Sequence, residues 1–328
     1  MSVRIVIAGT GFPLLRSHLA EALPGVSLLA ADAAALRAEG AAGEVLIPTM
    51  SRVDGALMDR IEGLRLIQQW GAGLEGVDVE AATARGIAVA NVPSAGTGNA
   101  ESVAEWCVMA ALALSRQLAA AERVIRSGDG WGVPMGRALL GRTAGIVGLG
   151  GIGTALAERL RPFGMRLVAV KRRPAPELAA RLGLAWVGGM EDLPALLAES
   201  HLLFLCVPVT EATREVIGAQ ALSLVRPGAI LVNPARGGLV DEGALLRALE
   251  EGRLAGAALD VYQREPLAPS SPLLAHPAVL ATPHVAGVTD VSYRGIARRL
   301  ADNARRAPAG GPYDCCVNAA ALAHRRAP

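Results

Sequence analysis

Ala144-Gly145-Ile146-Val147-Gly148-Leu149-Gly150-Gly151-Ile152-Gly153 decides how this chain is read. A short apolar strand, Ala144–Val147, runs directly into G-x-G-x-x-G. The residues from there toward Phe163 continue as a helix, and a second apolar strand follows at Leu167–Val170. Gly148 permits a tight turn, Gly150 lets the backbone approach a pyrophosphate, and Gly153 lets helix and strand pack closely. The helix start at Gly151 and Ile152 then offers unpaired N–H groups and a positive dipole end to phosphate. In a chain with 38 glycines the motif alone says little. Its strand–loop–helix–strand setting makes it a dinucleotide loop.

Beyond the second strand, an acidic residue would hold the ribose hydroxyls of NAD. That place, 18 residues past Gly153, holds Lys171, followed by Arg172 and Arg173. A carboxylate there would repel a 2′-phosphate, whereas cations pair with one. The sequence therefore favours NADP(H), with NAD(H) as the alternative. Lys171 is also the only lysine in the chain.

Strands and helices alternate on both sides of this unit. Apolar runs at Val3–Ala8, Val26–Leu29, Val45–Ile47, Leu66–Gln69 and Ile87–Val89 precede it, with helical patterns such as Leu14–Leu23 and Gly55–Ile61 between them. A long helix is expected from Asn99 to Ser127, stopped at Gly128. Further strands are expected at Leu184–Trp186, Leu202–Val207, Ala229–Val232, Ala257–Asp260 and Val279–Ala281, then a helix over Val291–Arg306 and a Pro/Gly-rich tail. This is the pattern of βα units around parallel sheets. The expected architecture is α/β: two Rossmann-like domains, one flavodoxin-like and one dinucleotide-binding, with a cleft between them. Residues 99–288 form the cofactor domain, and 1–98 with 289–328 a discontinuous substrate domain.

Composition bounds the partners. The 328 residues are 52% hydrophobic, and 32 basic residues stand against 30 acidic, a net +2. A charge so near zero argues against a nucleic-acid face. Cys107, Cys206, Cys315 and Cys316 show no metal-ligand spacing, so no metal site is expected. With no apolar run near ~18 residues and no signal-like start, no membrane association is expected and a cytoplasmic location is.

Three loops at predicted strand ends carry chemistry: Asn233-Pro234-Ala235-Arg236-Gly237, Asp260-Val261-Tyr262-Gln263-Arg264-Glu265-Pro266, and Thr282-Pro283-His284-Val285-Ala286-Gly287. Open α/β sheets bind ligands at that edge. Singly, Arg236 reads as a loop arginine, Glu265 as a loop carboxylate and His284 as a turn histidine. Together, in this order at predicted strand ends after a dinucleotide loop, 29 and then 19 residues apart, they make a set that chance rarely supplies.

With these residues the chain resembles the D-2-hydroxyacid dehydrogenase family over nearly its whole length, glyoxylate/hydroxypyruvate reductases most. The agreement extends to Gly71-Ala72-Gly73 with Val77-Asp78, to Asn99–Glu105, and to Val207-Pro208-Val209-Thr210 through Thr213. The resemblance implies that Arg236 binds and polarises a 2-oxo acid, that His284 is the general acid, and that Glu265 pairs with His284. It also implies Asp260 at the nicotinamide carboxamide, with Val207, Pro208, Thr213, Ala235 and Gly287 along the cofactor. Backbone amides of Ala72 and Gly73 would grip the substrate carboxylate, and Met50 would line its acyl end. Trp70 either narrows the site or belongs to the core.

The resemblance further implies a homodimer through the cofactor domain, by way of Asn99–Ser127 and Trp131–Gly141. The expected activity is NADPH-preferring reduction of small 2-oxo acids to D-2-hydroxy acids. The alternatives are a dehydrogenase for a bulkier D-2-hydroxy acid or 3-phosphoglycerate, and a nucleotide-sensing, corepressor-like scaffold. His18, His201, His276 (in a loop before Pro277) and His324 (in the tail) are given no site role.

Overall fold

Parallel pairing dominates because each apolar run is sandwiched on both faces, where a continuous Val/Ile/Leu strand loses no solvated side. The computed structural model describes residues 3–10 and 13–326. Its strands are β1 (Arg4–Ala8), β2 (Ser27–Ala31), β3 (Ala41–Ala42), β4 (Val45–Ile47), β5 (Ile61–Glu62), β6 (Leu66–Gln68), β7 (Ala88–Ala90), β8 (Thr143–Val147), β9 (Arg166–Val170), β10 (Trp186–Gly188), β11 (Leu202–Leu205), β12 (Ala229–Asn233), β13 (Leu254–Leu259) and β14 (Val279–Ala281). Two compact units result, one of Met1–Asn99 with Thr289–Pro328 and one of Ala100–Val288.

The first unit is built on a five-stranded parallel sheet in the order β2-β1-β4-β6-β7. Successive residues along β1 serve opposite faces. Ile5 and Ile7 join Leu15, Leu19, Leu300 and Ala304 on one side, while Val6 and Ala8 join Leu57 and Met58 on the other. Thr289 caps the helix Asp290–Arg306 by accepting from the Ser292 amide. A buried hydrogen bond of 2.7 Å from Asn303 Nδ2 to Gln68 Oε1 ties that helix to the end of β6.

The second unit is a seven-stranded parallel sheet in the order β10-β9-β8-β11-β12-β13-β14. Chain order runs outward from β8 in one direction and from β11 in the other, so the loops after these two strands diverge. That reversal leaves a crevice at the carboxyl edge of the sheet, where ligands of such folds bind. One face packs Ile146, Leu167 and Phe204 under Leu156 and Leu160. The other packs Val147, Val168 and Leu203 under Leu196 and Leu245.

Four sequence expectations need correction. The single helix expected over Asn99–Ser127 is two, Asn99–Ser115 and Leu118–Ser127, bent by 51°. No glycine or proline breaks it; a distant segment does. The Arg137 amide takes the Ser115 carbonyl at 2.7 Å, Gln117 Nε2 donates to Met135 O, and Gln117 turns left-handed at φ 52°. The helix expected over Gly55–Ile61 stops at Met58, because β5 diverts Ile61 into pairing with Ala41. In the seven-stranded sheet the strand expected at Leu184–Trp186 is shifted to Trp186–Gly188, and the one over Leu202–Val207 ends at Leu205.

The tail is also structured. Cys316 pairs antiparallel with Ala90, and the Asn318 side chain binds the Val89 amide and the Ile87 carbonyl. A last helix, Ala319–Arg326, carries His324. Among the described residues no single helix is long and apolar enough to cross a membrane.

Candidate active site

The dinucleotide loop folds as its glycines require. Gly148 sits at φ 100°, where an L side chain is strained, and a Cβ there would lie 2.6 Å from the Cys206 carbonyl oxygen. A Cβ on Gly153 would fall on the Gly148 carbonyl. Gly150 differs, because a Cβ there would meet nothing within 4 Å. The protein's own packing does not demand that glycine, but a ligand approaching the backbone would. With Gly150 as cap, Gly151 and Ile152 open the helix Gly151–Leu160, which has no acidic residue in its first turn. The loop therefore fits a pyrophosphate, and its setting fits a nicotinamide dinucleotide.

At the end of β9 the Lys171 amide donates to Gly188 O, and Arg172 and Arg173 are exposed. None of the three side chains makes an ion pair among the described residues. Two carboxylates stand past the neighbouring β10, at Glu191 and Asp192. Asp192 is engaged with the Gly189 amide at 3.0 Å. Sequence reasoning missed both, since they follow a different strand from the one that carries the ribose acid in NAD enzymes.

After β11, Thr213 Oγ1 accepts from the Thr210 amide and donates to Pro208 O, closing the turn that begins at Val207. Burial pushes the Cys206 thiol up to about 12, so it is no nucleophile at neutral pH. After β12, the buried Asn233 accepts from the Ala235 amide and donates to the Arg236 carbonyl, 3.1 and 2.9 Å. That clamp presents the half-buried Arg236, whose Nη1 also donates to Ala235 O at 2.7 Å. Asn233 stands in the quoted motif, yet its clamping role needed the fold.

The loops after β13 and β14 bring Glu265 and His284 together. His284 Nδ1 lies 2.7 Å from Glu265 Oε2, and the Tyr262 amide donates to Glu265 Oε1 at 3.0 Å. Burial alone would raise the Glu265 carboxyl. The hydrogen bonds from His284 and Tyr262, with the charges of His284 and Arg236, outweigh it and hold the carboxyl below the usual glutamate value. Glu265 is the sheltered partner, with 19% of its side chain exposed against 42% for His284. A ring held through Nδ1 keeps Nε2 for a reacting group.

His284 has φ 56°, a left-handed backbone unusual for a residue with a side chain. Asp260 compensates for it. Its carboxylate accepts from Thr282 Oγ1 at 2.5 Å and from the Val285 and Ala286 amides at 2.8 Å each, and its carbonyl accepts from the His284 amide. Burial raises the Asp260 carboxyl despite these donors. One lone pair of Oδ2 remains for a further donor, which is compatible with a carboxamide. Gly287 follows in the turn closed by Val288 N on Val285 O.

The remaining candidates lie at the carboxyl edge of the five-stranded sheet. The Ala72 carbonyl accepts from Asn91 Nδ2 at 2.8 Å, and Val92 N donates to Gly71 O. Among the described residues neither the Ala72 nor the Gly73 amide has an acceptor. Two adjacent free N–H groups held by a pinned loop suit a carboxylate. Met50 is 60% exposed. Its neighbours Thr49 and Ser51 both turn their hydroxyls back onto Ala8 O, at 2.7 and 2.6 Å. Trp70 packs into the core beside Tyr293, ring centres 5.2 Å apart.

Residues 108–286 match the family model "D-isomer specific 2-hydroxyacid dehydrogenase, NAD binding domain". The chain is 38% identical over 260 residues to a glyoxylate reductase of Thermococcus litoralis, covering 77% of this chain and 76% of that one. It is 35% identical to a D-3-phosphoglycerate dehydrogenase of Archaeoglobus fulgidus, covering 84% of this chain but only 51% of that longer relative. Its fold matches an NADPH-dependent glyoxylate/hydroxypyruvate reductase of Sinorhizobium meliloti, solved with NADP and malonate. The TM-score there is 0.79 at 32% identity, with 97% of each chain covered.

Proposed function

Since the chain belongs to the D-isomer specific 2-hydroxyacid dehydrogenase family, and so is an oxidoreductase of nicotinamide dinucleotides, we propose that it reduces small 2-oxo acids of the glyoxylate/hydroxypyruvate type. The products are D-2-hydroxy acids, and NADPH is the preferred cofactor over NADH. The observation that carries this reading is the His284–Glu265 pair, 2.7 Å apart at adjacent strand ends beside Arg236.

The bound nicotinamide supplies the hydride. This chain's residues prepare the acceptor and supply the proton. The Arg236 guanidinium binds the 2-oxo acid through its carboxylate and carbonyl oxygens, drawing electron density from the carbonyl carbon. As negative charge develops on that oxygen, His284 Nε2–H donates its proton. Glu265 holds Nδ1–H, which fixes the ring's orientation and leaves Nε2–H for the substrate oxygen. We assign the Ala72 and Gly73 amides to the substrate carboxylate and Met50 to its acyl end. Gly148, Gly150, Gly151, Ile152 and Gly153 hold the pyrophosphate. Lys171, Arg172 and Arg173 hold the 2′-phosphate. Val207, Pro208, Thr213, Ala235, Asp260 and Gly287 line the rest of the cofactor.

The acyl-end loop favours a small substrate over 3-phosphoglycerate. Pro48–Ser51 carries no cation, its two hydroxyls are spent on Ala8 O, and only Met50 projects. The same reading includes a homodimer, because Leu118, Ile125, Trp131, Met135 and Leu140 leave large apolar side chains in water, Trp131 and Met135 at 89% exposure. It also includes a cytoplasmic location, where the four free thiols stay reduced.

Initial rates for glyoxylate, hydroxypyruvate, pyruvate, a bulky 2-oxo acid and phosphohydroxypyruvate, each with NADPH and NADH, test the proposal. Glyoxylate and hydroxypyruvate with NADPH should give the highest kcat/KM. Turnover of none of them would leave the scaffold reading standing, and preference for the phosphorylated acid would replace the substrate assignment.

A further inference from the structure

We propose that Tyr262 is a positioning residue for the acid–base pair, tying the three loops that carry Arg236, Glu265 and His284 into one register. The inference rests on the function proposed above, and its geometry lies wholly within the seven-stranded unit.

Tyr262 stands two residues past Asp260, and its ring is buried at 7% exposure. Its hydroxyl lies 3.0 Å from two carbonyls, Leu259 O at the end of β13 and Thr282 O at the end of β14. The single phenolic hydrogen is thus shared between the strands that lead to Glu265 and His284. Burial and the charge of Asp260 push this phenol up to about 12, so it remains a donor at any working pH. The Tyr262 amide meanwhile holds Glu265 Oε1, the oxygen not facing His284.

The third loop meets the same residue through its backbone. A Cβ on Gly237, next to Arg236, would fall on the Tyr262 carbonyl, so the Arg236 loop rests on the Tyr262–Gln263 peptide. Gln263 extends the tie. Its amide donates to Glu242 Oε1 at 2.7 Å, and its Nε2 donates to Val240 O and Glu215 Oε1. A small shift at Tyr262 would move a 2.7 Å acid–base contact, and misplacement of reacting groups by about 1 Å can cost 10²-fold in rate.

Tyr262→Phe isolates the tether. Both carbonyls keep another donor, since Thr282 N also binds Leu259 O at 2.9 Å and His284 N binds Thr282 O at 3.1 Å. The ring keeps its packing among Leu231, Leu239 and Leu273. The variant should therefore fold and bind NADPH as the wild type does. We expect kcat for glyoxylate or hydroxypyruvate reduction to fall about tenfold with KM little changed. We also expect the low-field Nδ1–H proton resonance of His284, assigned by its loss in His284→Ala, to broaden through exchange with water. An unchanged His284 resonance in a folded Tyr262→Phe protein overturns the tether. That readout needs no turnover, so it stays decisive if the wild type reduces no 2-oxo acid and the proposed function itself fails.

Discussion

The loops after β12, β13 and β14 and the turn after β9 lie on the same edge of one sheet but are built on opposite plans. In the first, Asn233 clamps its own loop while Asp260, Tyr262 and Glu265 each direct polar atoms onto the neighbouring loop that carries His284, whose left-handed conformation that network holds. In the second, Lys171, Arg172 and Arg173 have exposed or half-exposed side chains with no ion-pair partner among the described residues. Groups that move a proton must be in place before the substrate arrives, because preorganisation lowers the barrier. Groups that only recognise a phosphate can wait in water and pair when the ligand brings its charge.

Breaking the first plan should cost most. His284→Ala removes the proposed proton donor, and kcat should fall by roughly 10²–10⁴ while NADPH affinity is retained; turnover within threefold of wild type would end its role as acid. Next comes Gly237→Ala, whose methyl would fall on the Tyr262 peptide. About 1–3 kcal/mol of stability should be lost, visible as a lower denaturant midpoint. A wild-type midpoint would mean that the Arg236 loop does not rest on Tyr262.

The second plan should yield a smaller and more selective effect. Arg172→Asp replaces a candidate phosphate-pairing cation with a repelling charge, and the NADPH/NADH ratio of kcat/KM should drop about tenfold. Equal loss with both cofactors would remove Arg172 from the choice. The smallest effect concerns pH. The folded Glu265 carboxyl lies below its ordinary value near 4.5, so its ionised contribution is complete above that value. That contribution is lost as pH falls through the lower folded one. Glu265→Gln should flatten the acid side of the stability profile, and an unaltered profile would remove Glu265 from it.

The two plans were also unequally legible. Lys171-Arg172-Arg173 and Arg236, Glu265 and His284 could be located from strand ends and spacing, since a parallel sheet sends its ligand-facing loops to one edge whatever the loops contain. Tyr262 and Asn233 stood in the same quoted motifs without a role. The Thr282 partner of Tyr262 is set by which strands lie side by side, whereas Asn233 bonds within its own loop, to Ala235 and Arg236.

The sequence by itself determined the strand–glycine–helix unit, the all-parallel α/β class and the order of the three proposed catalytic residues. All of these rest on local periodicity, or on backbone conformations that few residues other than glycine adopt. Only the tertiary structure decided that the helix from Asn99 breaks after Ser115, that Thr49 and Ser51 spend their hydroxyls on Ala8, and that Asp260 and Tyr262 hold the His284 loop. Each is a competition for a hydrogen-bonding atom between groups about 20 to 40 residues apart. Such a competition leaves no periodic mark on the chain and is settled only when the sheets bring the competitors within 3 Å.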